Sequence, residues 1–164
     1  MDYQTRLLPT REALERVSGE FGNAESLVCV EMILLLLNTA NRFRAEVFGD
    51  LERRHGLTEG KLILLMALSD NPKGLLTGEL AKRVGVSMAT VSVMVKRMLA
   101  AEQPLIVVTT PEEDARARLV KLSPAGKAAI RDILPYHLAQ IEAFSRKLDD
   151  SQRHTLIELL KQLS

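Results

Sequence analysis

The chain has 164 residues with 46% hydrophobic and 26% charged side chains and a formal net charge of +1, a composition that folds around a core and rules out both a large multidomain enzyme and a disordered chain. One cysteine, Cys29, excludes an intrachain disulfide framework and a cysteine-rich zinc module, and six aromatic residues argue against a surface built on stacking platforms. The longest apolar stretch, Leu27 to Leu37, is interrupted by Glu31 and falls far short of the ~20 residues that span hydrocarbon, and residues 1–8 lack the pattern of a secretory signal, so a cytoplasmic location and no membrane partner are expected.

In chain order, Thr10 is expected to cap a short helix that runs to Val17 and ends at Ser18-Gly19. A long helix is predicted from Ala24 to Arg54, with Gly56 as its left-handed terminus. Its segment 27–37 is apolar almost all round, a pattern that needs cover on more than one side, and a second copy of the chain is the simplest cover. Cys29 reads as a thiol buried among Val28, Val30 and Ile33. Thr58 caps a helix through the apolar run 62–68, which stops at Ser69-Asp70-Asn71-Pro72. Thr77 is expected to cap a short helix ending at Gly85, and Ser87 to cap another through about Ala101.

The period then changes. Residues 105–109 and 117–121 are β-branched or alternating runs around the polar stretch 110–114, which predicts a hairpin. Ser123-Pro124 opens a helix to about Leu148 with a kink expected at Pro135, and Asp150 or Ser151 is expected to cap a last helix bearing Leu156, Leu159, Leu160 and Leu163 on one face.

The informative segment is 77–98. Ala81, Gly85 and Val91, with Leu80, Val84, Val86 and Val95 between them, supply the small residue, the positive-φ turn and the branched packing residue that two steeply crossing helices need. This is a helix-turn-helix, and the following hairpin makes it a winged helix. Val91, Met94, Val95 and Met98 fall on the core side of the second helix. Ser87, Met88, Ala89, Thr90, Ser92, Val93 and Lys96 then face out, small and polar enough to enter a major groove, with Thr77, Lys96 and Arg97 suited to phosphates. The wing tip carries Asp114 and Arg116, and an arginine projected from such a tip suits the minor groove. Residues 77–121 hold seven basic and five acidic side chains, the only third of the chain that leans clearly basic.

Leu57 to Leu68, the helix-turn-helix at 77–99 and Asp114-Ala-Arg-Ala-Arg-Leu-Val-Lys-Leu-Ser-Pro-Ala-Gly126 together make the chain resemble the multiple-antibiotic-resistance regulator (MarR) family over nearly its whole length. The resemblance implies a mainly α fold with a small β wing (α+β): an N-terminal extension over 1–23, a helical dimerisation region from 24–56 and 123–164, and a winged helix-turn-helix DNA-binding domain over 57–122. It also implies a homodimeric repressor on a near-palindromic operator in double-stranded DNA, released by a small aromatic or phenolic effector. Asn38, Phe43, Leu62, Met66 and His137 are candidate effector-binding residues, placed where the long helix, the Thr58 helix and the Ser123 helix are expected to converge. Two departures stand out: Pro104 occupies a position where glycine is common, and the 107–110 strand lacks basic residues.

No catalytic, cofactor or metal site is expected, since phosphate-loop and nucleophile-elbow motifs are missing and His55, His137 and His154 are scattered. Two other readings use the same residues: a helical dimeric adaptor that binds protein and has lost DNA binding, and a regulator that senses oxidants through Cys29. A steep salt dependence of DNA binding separates the first of these from a DNA-binding protein.

Overall fold

Thr10 Oγ1 accepts a hydrogen bond from the Ala13 amide at 3.2 Å and opens α1, Arg11–Phe21, in this computed structural model, which describes residues 9–21, 24–110 and 118–163. The helix runs through Ser18-Gly19 instead of stopping at Val17, because an internal glycine costs a helix only ~1 kcal/mol and removes no backbone donor. Residues 1–54 and 55–164 form two compact units.

In the first unit, α2 (Ala24–Phe43) passes through a π-helical turn (Arg44–Phe48) into α3 (Gly49–His55), and Gly56 follows with φ +64°. The predicted helix 24–54 is therefore one helical path with a π turn inside it. The wider turn stacks residues five apart: Phe43 and Phe48 meet edge to face, centroids 5.7 Å apart at 87°. Val47 and Leu51 are buried, whereas Val28 (66% exposed), Val30, Met32, Ile33, Leu35, Leu36 and Leu37 are not. Cys29 is exposed too, contrary to the expected burial, because nothing in one chain covers the apolar neighbours that were to enclose it.

The second unit begins with Thr58, whose hydroxyl accepts the Lys61 amide at 3.5 Å and caps α4, Glu59–Ser69. Leu62, Leu64, Leu65 and Leu68 of α4 are almost wholly buried and form the centre of the unit's core. Asn71 Nδ2 donates to the Ala67 carbonyl at 2.8 Å and closes the helix. A strand that the sequence pattern does not signal follows: β1, Leu75–Leu76, pairs antiparallel with β3 (Leu119–Leu122), which in turn pairs with β2 (Ile106–Thr109), giving the order β1-β3-β2. Gly74, at φ +97°, permits this pairing, since a Cβ there would lie 2.8 Å from the Val120 carbonyl oxygen.

The helix-turn-helix is α5 (Thr77–Val84), a turn at Gly85 with φ +73°, and α6 (Met88–Leu99). Thr77 is the first residue inside α5 and not its cap. Pairing holds Leu76 extended, and its amide donates to Glu79 Oε2 at 2.8 Å, so the helix start shifts one residue upstream. Leu80, Ala81 and Val91 are buried as expected, but Val86 is exposed. The predicted hairpin is present as β2 and β3, with Ile106 opposite Leu122 and Thr109 opposite Leu119.

Ser123 caps α7, Pro124–Ser145, and the helix continues unbroken past Pro135. The final helix α8, Asp150–Lys161, is capped by Asp149 one residue before the expected position. The Asp149 carboxylate accepts the Gln152 amide and Gln152 Oε1 accepts the Asp149 amide, each at 2.9 Å, a reciprocal pair that Asp150 and Ser151 do not make. No residue of α8 is buried. Among the described residues, no helix is long and apolar enough to cross a membrane.

Gly126 is the tightest approach in the unit: a Cβ there would stand 1.9 Å from the Leu105 carbonyl oxygen, a backbone atom that cannot step aside. Gly19 in α1 has nothing within 4 Å of such an atom. In urea unfolding, Gly126→Ala is expected to lose about 2–3 kcal/mol through forced displacement of α7, while Gly19→Ala gains up to ~1 kcal/mol. Equal effects of the two changes would refute the packing argument.

Candidate nucleic-acid interface

Ser87 sets the geometry of α6. Its Oγ accepts the Thr90 amide at 3.2 Å and lies 2.8 Å from Thr90 Oγ1, so cap and first turn are locked together. Val91 and Met98 point into the core, and Met94 and Val95 are half-buried. Ser87, Met88, Ala89, Thr90, Ser92, Val93, Lys96 and Arg97 are all exposed, and Thr77 is half-buried at the start of α5. Met88, Ala89, Thr90, Ser92, Val93, Lys96 and Arg97 thus share α6 with Ser87 as its cap, while Thr77 stands on α5. Ser92 Oγ donates to the Met88 carbonyl at 2.9 Å.

Two exposed cations outside the predicted set, Lys82 and Arg83, end α5 as Lys96 and Arg97 end α6. Their signal was legible as a basic pair in a last turn. The two helices carry these four cations against one carboxylate, Glu79, which is already engaged with the Leu76 amide. The local field is therefore positive although the chain is nearly neutral. Arg118 and Lys121 add charge at β3, whereas Asp114 and Arg116 lie outside the described residues.

The candidate effector residues fall in both units. In the first, Asn38 is half-buried with its Oδ1 enclosed and without a hydrogen-bond partner, and Phe43 meets Phe48. In the second, Leu62 is 1% exposed, Met66 on the next turn of α4 is exposed, and His137 of α7 is buried. Among the described residues, no three His, Cys, Asp or Glu side chains gather as a metal site.

A family model described as the MarR family matches residues 55–117. The chain is 31% identical over 109 residues, 66% of its own length and 64% of the relative's, to the HTH-type transcriptional repressor YetL of Bacillus subtilis. It spans slightly less than two thirds of the length of the curated relatives it matches. Among solved structures it resembles Sco3205, a MarR family transcriptional regulator from Streptomyces coelicolor solved in complex with DNA, at a TM-score of 0.72 and 19% identity over 96% of this chain and 89% of that one. It also resembles BpsR of Bordetella bronchiseptica, whose DNA binding is regulated by 6-hydroxynicotinic acid, at a TM-score of 0.69 and 24% identity over 81% and 98% of the two chains. These two likenesses establish the fold: a helical chain with a small antiparallel wing.

Burial holds the His137 imidazole below its ordinary value of 6.5 by penalising the charged form. The unfolded chain therefore binds a proton at His137 at a pH where the folded chain does not, so this group favours the fold above pH 6.5 and progressively less below it. Thermal unfolding followed from pH 7.5 to 5.5 should show a fall in Tm that is shallower in His137→Gln. An unchanged slope would show that His137 does not contribute to it.

Proposed function

We propose that the chain is a member of the MarR family and a sequence-specific DNA-binding transcriptional repressor, acting in the cytoplasm as a homodimer on a near-palindromic operator and released by a small aromatic or phenolic effector. The observation that carries this reading is the outward face of α6: Met88, Ala89, Ser92 and Val93 are small or apolar enough for base edges in a major groove, and Lys96 and Arg97 are suited to phosphates. Thr77, Ser87 and Thr90 line the same edge, and Asp114 and Arg116 are assigned to the wing tip, with the arginine in the minor groove.

Homodimerisation is supported by the two uncovered apolar faces, that of α2 with Val28, Val30, Met32, Ile33, Leu35, Leu36 and Leu37 and that of α8 with Leu156, Leu159 and Leu160 followed by Leu163, all of these side chains being exposed in one chain. Apolar surface of this extent marks an interface. Segments 24–56 and 123–164 are the proposed dimerisation region, joined by the extension 1–23, with 57–122 reading DNA. Release by an effector is supported by the regulation of BpsR by 6-hydroxynicotinic acid, and Asn38, Phe43, Leu62, Met66 and His137 are the residues assigned to that site.

Selection of bound fragments from a genomic library tests the reading directly: enrichment of one near-palindromic sequence is expected, and retention without sequence preference would refute it. On that operator Arg116→Ala should weaken binding by ~1–3 kcal/mol and lower the salt slope by about one. Lys96→Ala should add its own loss nearly independently. Sedimentation should show a dimer at micromolar concentration, and a stable folded monomer there would remove the dimeric part of the proposal.

A further inference from the structure

The chain passes from α7 to α8 through a short joint, residues 146–149, and within α8 only Arg153 is not exposed. Its side chain turns back across that joint. Nη1 donates to the Leu148 carbonyl at 2.5 Å and to the Ser145 carbonyl at 3.3 Å, and Nη2 donates to Asp150 Oδ1 in the first turn of α8. The hydrogen bond from Arg153 holds the Asp150 carboxyl below its ordinary value. The backbone closes around the same point: the Leu148 amide donates to the Ser145 carbonyl at 3.1 Å, and the Arg153 amide to the Asp149 carbonyl at 3.0 Å.

The last carbonyls of a helix have no partner inside it, and a cation beside them meets the negative end of the helix dipole. Arg146 stands at the same place, but it pairs at 2.8 Å with Glu142 of α7 itself, and both side chains are mostly exposed. Arg153 differs, because a guanidinium carries its donors in fixed directions within one plane. Bonded at once to the end of α7 and to a carboxylate of α8, it fixes the angle between the two helices. α8 has 12 residues, none of them buried, so at ~1.5 Å per residue it is a lever about 18 Å long. A swing of ~10° at the joint carries its far end ~3 Å, close to the ~3.4 Å rise of one base pair.

We infer that Arg153 is a positioning residue of the homodimer: it sets the direction in which α8 presents Leu156, Ile157, Leu159 and Leu160 to the second copy of the chain, and through that the distance between the two α6 helices. The inference rests on the dimeric reading proposed above. Without the guanidinium, α8 keeps its helix and its apolar face but is held at several angles, so the two copies associate more weakly and with more than one separation of their recognition helices. Dimers read half-sites at a fixed separation, so Arg153 acts on operator spacing without touching DNA.

The test uses the full chain without DNA, spin-labelled at Ala100→Cys on the exposed cap that ends α6, in a Cys29→Ala background. Distances between the labels of two copies are measured for this parent and for Arg153→Met, Arg153→Lys and Arg146→Met, together with the dissociation constant by sedimentation and the helix content by circular dichroism. One narrow distance is expected in the parent. Arg153→Met, which keeps the length and loses every donor, should widen the distribution about twofold and raise the dissociation constant about tenfold, the cost of ordering a free joint on association, with helix content unchanged. Arg153→Lys, which keeps a donor for one carbonyl, should fall between the two and carries the comparison if Arg153→Met is wholly monomeric. Arg146→Met should match the parent. A dimeric parent with the same width and dissociation constant as both Arg153 variants overturns the inference and leaves the dimer standing. Equal widening in Arg146→Met also overturns it, as does a loss of helix content without widening, which would make Arg153 a cap of α7 and no more. A monomeric parent overturns both readings.

Discussion

The contact on which the wing and helix-turn-helix depend is the approach of the first turn of α7 to the backbone at Pro104 and Leu105. One hydroxyl does two tasks there. Ser123 Oγ donates to the Pro104 carbonyl at 2.7 Å and accepts the Gly126 amide at 3.0 Å, while the Ser123 amide donates to the Leu105 carbonyl at 3.0 Å. The absent side chain of Gly126 lets the helix come this close. The start of β2 is thereby tied to the end of β3, whose other edge receives β1, and β1 leads directly into α5. Because Ser123 is buried, losing its hydroxyl would strand a helix amide and a carbonyl away from water, which is more costly than losing one exposed hydrogen bond. Pro104 suits this place, since only its carbonyl is used and its missing amide is not.

The first unit obeys a different constraint. Residues 27–37 of α2 are apolar around nearly the whole circumference, so no rotation of the helix within one chain can hide them all. The π turn at Arg44–Phe48 inserts extra winding beyond that segment and brings Phe43 onto Phe48, a pairing at five-residue spacing that a regular α-helix does not make. The exposed thiol of Cys29 follows from the same uncovered surface. Within the proposed dimer these observations become one statement, that a second copy completes a core each chain only begins.

The sequence pattern was most informative where one residue settles a local question. Thr58, Ser87 and Ser123 cap the helices expected of them, Gly85 takes the left-handed turn, and the change from a period of 3.6 to one of two marks β2 and β3. The outward residues of α6 could be read because Val91 and Met98 fix the helix phase. What was not legible depended on partners distant in sequence. β1 is two residues long and exists only because Gly74 lets Leu75 and Leu76 reach β3, and that pairing moved the cap of α5 from Thr77 to Leu76. Asp149 outcompetes Asp150 and Ser151 through the reciprocal bond with Gln152, a choice that composition at adjacent positions does not reveal.

The near-zero net charge of the chain is no obstacle to nucleic-acid binding, because fields at a wet surface are screened beyond ~8–10 Å and only nearby charges count. On α5 and α6 the sole carboxylate, Glu79, accepts the Leu76 amide, and it is outnumbered by Lys82, Arg83, Lys96 and Arg97, which set the local potential. The hydroxyls of α6 constrain how bases can be read. With its proton given to the Met88 carbonyl, Ser92 Oγ presents lone pairs outward and acts as an acceptor, matching the exocyclic amino groups of cytosine or adenine. Ser87 and Thr90 share one hydrogen bond between their hydroxyls, so one proton of the pair is spent internally and one remains for a phosphate oxygen or a base acceptor. Beside them Met88, Ala89 and Val93 present only carbon and sulfur, which favours thymine methyl groups. In the proposed complex, α6 therefore discriminates through shape and acceptor geometry at its first two turns, and the cations at its far end supply affinity that is indifferent to sequence.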